Sequence, residues 1–148
     1  MTTKLISKRR KNQSGITLIE MLVVVVIIGL FVGLVGVNMF KQADKAKRTA
    51  ARTQIANFIQ ALGLYKLDVG IYPSQDVGLN ALRVKPDTAT QWSGPYIPQD
   101  VPLDQWGRPF LYKFPGDHGE EPDVISLGAD GQPGGEGDNA DIVSWNNK

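Results

Sequence analysis

The chain has 148 residues, no cysteine and a formal net charge of +1, which bounds it to one modest domain and excludes a disulfide framework and thiol chemistry. Five of its 16 bases crowd into the first 15 residues; without them 11 bases face 15 acids, a net charge of about −4. That balance excludes non-specific nucleic-acid binding, which needs a surplus of lysine and arginine against the phosphates.

In chain order, the first element is a short basic leader, Lys4, Lys8, Arg9, Arg10 and Lys11, ending in Ser14-Gly15. It is too polar and too short to fold by itself. The next element is an uninterrupted apolar run from Met21 to Val37, which the flanking residues extend to Ile16–Phe40. As a helix this stretch measures roughly 35–40 Å at ~1.5 Å per residue, enough for a bilayer core that needs about 20 apolar residues. Its β-branched richness would suit a buried strand, but its length argues for a helix. Gly29, Gly33 and Gly36 fit either close helix–helix approach or a plain lipid anchor, because glycine is common in membrane helices.

Glu20 stands at the start of this run. A charge within hydrocarbon costs on the order of 2–3 kcal/mol or more, so an acid there points to function, unless it rests among the lipid headgroups. Cleavage after Gly15 would place the new amine of Ile16 four residues from Glu20. Between neighbouring copies, amine and carboxylate would then pair and fix register, provided the geometry offsets their desolvation. A secretory signal peptidase wants small residues after an apolar region; the residues present, Asn38-Met39-Phe40-Lys41, are a poor match. Five bases before the run and five just after it (Lys41, Lys45, Lys47, Arg48, Arg52) leave the positive-inside rule only a weak vote for a cytoplasmic leader.

Past the apolar run, Ala43, Ala50, Ile55, Phe58, Ile59, Leu62 and Tyr65 keep three- and four-residue spacing, so the helix continues as an amphipathic segment with one face on a core. Gly70 and Pro73 are stop signals, giving one helix over about 16–67. Residues 74–109 are rich in turns, with a short helix at Gly78-Leu79-Asn80-Ala81-Leu82. Three strand candidates follow, at 110–113, 124–127 and 142–145, separated by glycine and proline, as in a small antiparallel sheet laid on the helix. Between the last two lies a loop holding Asp130, Glu136, Asp138 and Asp141 among five glycines. Calcium takes six to eight oxygens, and glycines let carbonyls turn inward, but the spacing is not that of an EF-hand. By composition alone the loop reads as a solvated acidic turn.

Catalytic constellations are absent from the sequence. His118, the only histidine, sits in Pro115-Gly116-Asp117-His118-Gly119 and reads as a turn residue, and Glu120-Glu121 as a solvated pair. No nucleophile elbow, phosphate loop or zinc spacing occurs.

Gly15-Ile16-Thr17-Leu18-Ile19-Glu20 with its apolar run resembles a type IV prepilin N-terminus. The resemblance implies cleavage between Gly15 and Ile16, N-methylation of Ile16 by a prepilin peptidase, and a role for Glu20 in assembly. Two positions depart from that pattern: Ile16, where phenylalanine is usual, and Val37, where many members carry a proline. Farther on, Tyr72-Pro73, Gly78-Leu79-Asn80-Ala81-Leu82, Gly94-Pro95-Tyr96, Trp106-Gly107-Arg108-Pro109 and Ser126-Leu127-Gly128-Ala129-Asp130-Gly131 occur in this order. Together they resemble the major pseudopilins of type II secretion systems, with Gln105 at a turn position where proline is usual.

The fold this implies is α+β and pilin-like: a long N-terminal helix, half membrane-embedded and half amphipathic, on a small antiparallel sheet with a C-terminal loop. The implied domains are a cleaved leader (1–15), a transmembrane polymerisation helix (16–40) and a soluble periplasmic domain (41–148). The resemblance also implies a calcium ion in the loop, held by the Leu127 carbonyl and the Asp130 and Asp141 side chains, with Asp138 a further candidate. Calcium would tie down a C-terminus that adhesive pilins close with a disulfide. The implied function is that of a non-enzymatic subunit anchored in the inner membrane and polymerised into a periplasmic pseudopilus that exports folded proteins. Its partners would be copies of itself, minor pseudopilins, the prepilin peptidase and the inner-membrane secretion platform. Two other readings are a type IV pilin of an adhesion or motility fibre and a membrane-anchored calcium-binding module.

Overall fold

The structure, a computed structural model, describes residues 15–146, with the side chains of residues 34–41 outside the description. Residues 1–14 of the basic leader lie outside the described residues. The chain divides at Phe40–Lys41 into two compact units, and the long helix α1 (Leu18–Val69) contributes to each.

Within the first unit the apolar side chains from Ile16 to Val32 are 41–84% exposed, on every side of the helix. So much uncovered apolar surface is stable only against lipid or other apolar helices. Among the described residues no helix is long and apolar enough to cross a membrane; the described side chains stop at Gly33, and the rest of the apolar run, Val37 included, lies beyond them.

In the second unit α1 carries the core stripe. Ala51, Ile55, Phe58, Leu62 and Tyr65 are buried along one face, at the spacing expected of an amphipathic helix. Phe110 meets Phe58 edge-to-face at 5.2 Å. The helix starts two residues later than its periodicity suggests, because Thr17 caps it, and ends two later, at Val69. There Gly70 (φ 92°) takes the left-handed conformation, and its N–H donates to the Lys66 carbonyl at 2.8 Å. A 3₁₀ turn, Gly78–Leu82, buries Leu79, Ala81 and Leu82, and a second, Gly137–Asn139, lies in the acidic loop.

The sheet is three-stranded and antiparallel, in the order β1 (Leu111–Lys113), β2 (Asp123–Ser126), β3 (Ile142–Val143). Tyr112 pairs with Val124 and Ser126 with Ile142, and all four are buried. β1 and β3 are shorter than their β-prone runs, and β2 keeps its length but starts one residue earlier. β3 in particular stops at Val143, and the Ser144 hydroxyl oxygen accepts the Val124 N–H at 3.1 Å.

The end of α1 is locked by one carboxylate. Asp68 accepts hydrogen bonds from the Ser93 hydroxyl and, at 2.7 Å, the Tyr96 hydroxyl. Tyr96 also packs edge-to-face on Tyr65 and on Trp92. The Ser93 bond first, then the Tyr96 bond, holds the Asp68 carboxyl below the ordinary carboxylate range. A carboxyl depressed on folding stabilises the native state above its unfolded pKa, and that stabilisation is lost as pH falls through the folded value. The stability advantage of wild type over Asp68→Asn should therefore be full at neutral pH and shrink below about pH 4. Thermal melts of the two chains between pH 7 and pH 2.5 check this.

Candidate functional site

The two stretches singled out by sequence are built differently. At the N-terminus, Gly15, Ile16 and Thr17 precede the helix in non-helical, exposed backbone, the form a peptidase needs. Thr17 is the N-cap: its Oγ1 accepts the Glu20 N–H at 3.3 Å, and its carbonyl accepts the amides of Glu20 and Met21 at 3.1 and 3.2 Å. Glu20 thus lies at the third helical position of a Thr-x-x-Glu start, where a carboxylate complements the positive end of the helix. The spacing of Thr17 and Glu20 was a legible capping signal that assembly arguments alone pass over.

The C-terminal loop is held at both ends by arginines. Arg108 donates from Nη1 to the Gly128 carbonyl at 2.7 Å and from Nη2 to the Ala129 carbonyl at 3.2 Å. Arg48, on α1, donates from Nη1 to the carbonyls of Asp138 and Ala140 at 3.1 and 2.7 Å. Arg48 falls three residues before Ala51 and seven before Ile55, so it extends the buried stripe. A base where the next core residue belongs was the available signal, and charge counting alone missed it.

Arg108 is in turn fixed by Asp104, which is only 5% exposed. Asp104 Oδ1 accepts the N–H groups of Trp106 and Arg108 at 3.0 and 2.8 Å, and Oδ2 accepts the Ser126 hydroxyl at 2.7 Å. This carboxylate holds the turn that contains Gln105, whose Oε1 is buried without a hydrogen-bond partner.

Inside the loop, the Leu127 carbonyl accepts the Gly131 N–H at 3.2 Å, leaving one lone pair free. Asp130 Oδ1 accepts the Gln132 N–H at 3.1 Å. Asp141 closes the loop: Oδ2 accepts the Gly134 N–H at 2.9 Å, and its own N–H donates to the Gly134 carbonyl at 3.1 Å. Its second oxygen, Oδ1, is buried with no hydrogen-bond partner. A buried carboxylate oxygen left bare costs free energy, so this atom fits a cation. A side chain at Gly135 (φ 81°) would meet the Asn139 carbonyl oxygen at 2.5 Å, which requires glycine there. Asp138 is exposed and contributes its carbonyl to Arg48. Among the described residues no three or more His, Cys, Asp or Glu side chains gather as a metal cluster, so Asp130, Asp138 and Asp141 are not brought together as a set of three. Two carboxylates with carbonyls remain compatible with calcium's oxygen preference.

His118 is exposed but engaged: its ring stacks on Trp145 at 3.6 Å, and Nδ1 lies 3.0 Å from Oδ2 of buried Asp123.

Arg48→Ala should free the Asp138 and Ala140 carbonyls at a cost of about 1.5–3 kcal/mol, the range for hydrogen bonds to charged groups. Hydrogen exchange should then accelerate over residues 137–141 more than within the Ile55–Tyr65 stretch of α1, measurable by mass spectrometry.

The family model of type II secretion system (T2SS), protein G, matches residues 38–145, and that of the prokaryotic N-terminal methylation motif matches residues 10–36. The chain is 44% identical over 142 residues to the type II secretion system core protein G of Vibrio cholerae, covering 94% of this chain and 96% of that protein. It is also 44% identical over 142 residues to the core protein G of Pseudomonas aeruginosa, covering 94% and 99%. A crystal structure of the major pseudopilin from the type 2 secretion system of enterohaemorrhagic Escherichia coli matches with a TM-score of 0.60 at 31% identity, over 73% of this chain and 94% of that one.

Proposed function

The chain belongs to the type II secretion system protein G family and is a pseudopilin subunit of the secretion pseudopilus; we propose that it is cleaved between Gly15 and Ile16, N-methylated at Ile16, and polymerised through its apolar helix. The observation that carries this reading is the start of α1: accessible backbone at the scissile bond, a capped first turn, and exposed apolar side chains from Ile16 to Val32. Before assembly that surface anchors the chain in the inner membrane by a single pass, with the 41–148 domain in the periplasm. After extraction it packs on the same surface of other copies. Minor pseudopilins and the inner-membrane platform complete the machine, and the chain acts by assembling rather than by catalysing a reaction. Folded substrates are driven outward by the growing polymer.

Glu20 has two separable roles in this scheme. It complements the helix start, and in the polymer its carboxylate neutralises the Ile16 amine of a neighbouring copy. Glu20→Gln keeps the Thr17 cap, which uses the Glu20 backbone N–H, but removes the charge. In both Glu20→Ala and Glu20→Gln, mass spectrometry should find a mature chain beginning at N-methylated Ile16, while pseudopilus assembly falls. Normal assembly in the Gln variant would reject the pairing of Glu20 with the neighbouring amine.

Calcium is the second part of the proposal. The Leu127 carbonyl and the Asp130 and Asp141 side chains would hold it, with the bare Asp141 Oδ1 supporting the assignment and Asp138 as a further candidate ligand. Bound calcium would add the cross-link that a chain with no cysteine lacks. At calcium concentrations near 100 times the dissociation constant, binding stabilises by about 2.7 kcal/mol, or ~10 °C or more in a domain of this size. Chelation should remove that increment from a fragment starting near Ala46, and Asp141→Asn should abolish the calcium response. Superimposable melts in calcium and chelator would reject the site.

A further inference from the structure

The free edge of the sheet is closed by a side chain. Tyr112 lies opposite Val124, whose own N–H and carbonyl go to Ser144 on the β3 side, so theirs is a non-hydrogen-bonded pair and the backbone groups of Tyr112, and of Phe114 two residues on, point toward the open edge. There the side-chain amide of Gln75 meets both. Nε2 donates to the Tyr112 carbonyl at 2.7 Å, and Oε1 accepts the Phe114 N–H at 3.0 Å. One donor and one acceptor, set against the carbonyl of one residue and the amide two residues on, is the pattern that a residue of a parallel neighbouring strand would offer beside Lys113. Gln75 therefore stands where a fourth strand would begin. The segment holding it is pinned nearby, because the buried Tyr112 hydroxyl donates to the Pro73 carbonyl at 2.8 Å.

The strand behind this plug is a hazard. Phe110-Leu111-Tyr112-Lys113-Phe114 combines three aromatics and a leucine with one charge, the composition that pairs edge to edge between chains. Leu111 and nearby Leu103 are 43% and 57% exposed. Pro109 and Pro115 bound the segment on both sides and limit its length, since proline cannot donate to a ladder. The opposite edge, β3, has only two residues and is a poor template. We infer that Gln75 is an edge guard, whose amide keeps β1 from pairing with the β1 of a second copy and so confines association between copies to their other surfaces. For a chain that works as a dense polymer, a competing sheet contact would divert subunits into disordered aggregates.

The inference is tested on the purified full-length mature chain in detergent micelles, independently of secretion. In wild type the Phe114 amide should be protected; in Gln75→Ala its hydrogen exchange should rise about tenfold, the equivalent of one hydrogen bond. Gln75→Ala should also show faster thioflavin-positive aggregation than wild type under mild heating. Because Gln75→Ala could also aggregate by general unfolding, Leu111→Lys is added to it, placing a charge on the exposed side of the edge. Restored solubility in the double variant supports an edge contact. Aggregation that persists in the double variant, or a Gln75→Ala chain with unchanged Phe114 exchange or unchanged aggregation, overturns the proposal.

Discussion

Backbone satisfaction is the constraint on which the second unit depends. Its strands are three, four and two residues long, so most amides and carbonyls past Gly70 lie outside any ladder. Buried backbone groups without partners are costly and rare, and polar side chains take the place of the missing strands. Asp104 holds the 104–108 turn, Arg108 and Arg48 hold the two ends of the acidic loop, Asp141 closes its middle, and Gln75 closes the sheet edge. Where the partner is screened from water, as at the Ala140 and Gly128 carbonyls, removing such a group costs more than the contact itself, because the orphaned carbonyl is poorly resolvated.

These side chains also form a sequence of dependence. Asp104 positions the Arg108 backbone and takes the Ser126 hydroxyl; Arg108 then positions Gly128 and Ala129. Leu127, whose carbonyl is a proposed calcium ligand, lies between Ser126 and Gly128. The loop is therefore held before any ion is considered, and a cation would meet a backbone already turned by Gly128, Gly131 and Gly134, all at positive φ. This explains how a chain without cysteine builds an ordered C-terminus from a glycine-rich segment, whose conformational entropy would otherwise favour disorder.

The two stretches of the long helix differ in what covers them. From Ile16 to Val32 its apolar side chains are exposed, whereas the 51–65 stripe buries the same kind of residue against its own domain. Arg48 marks the end of that stripe. Its guanidinium reaches loop carbonyls instead of packing as an aliphatic residue, so the acidic loop is tied directly to the helix that carries the subunit.

Periodicity and punctuation in the sequence determined the helix, its stop at Gly70, the short helical turn at Gly78–Leu82 and three strands in sequence, though not the 3₁₀ turn Gly137–Asn139 between the last two. These are local signals, written in residues three, four or two positions apart, and they survive without knowledge of partners. The motif from Gly15 to Glu20 and the ordered turn motifs of the domain were enough to point to the family. What only the tertiary structure decided were contacts between residues far apart in the chain: Arg48 with Ala140, Arg108 with Gly128, Asp68 with Ser93 and Tyr96, Gln75 with Phe114. In sequence each of these polar residues resembles ordinary solvated surface. Their roles exist because folding brings them to backbone groups that short strands leave unpaired, and no local pattern records which distant carbonyl will need a donor.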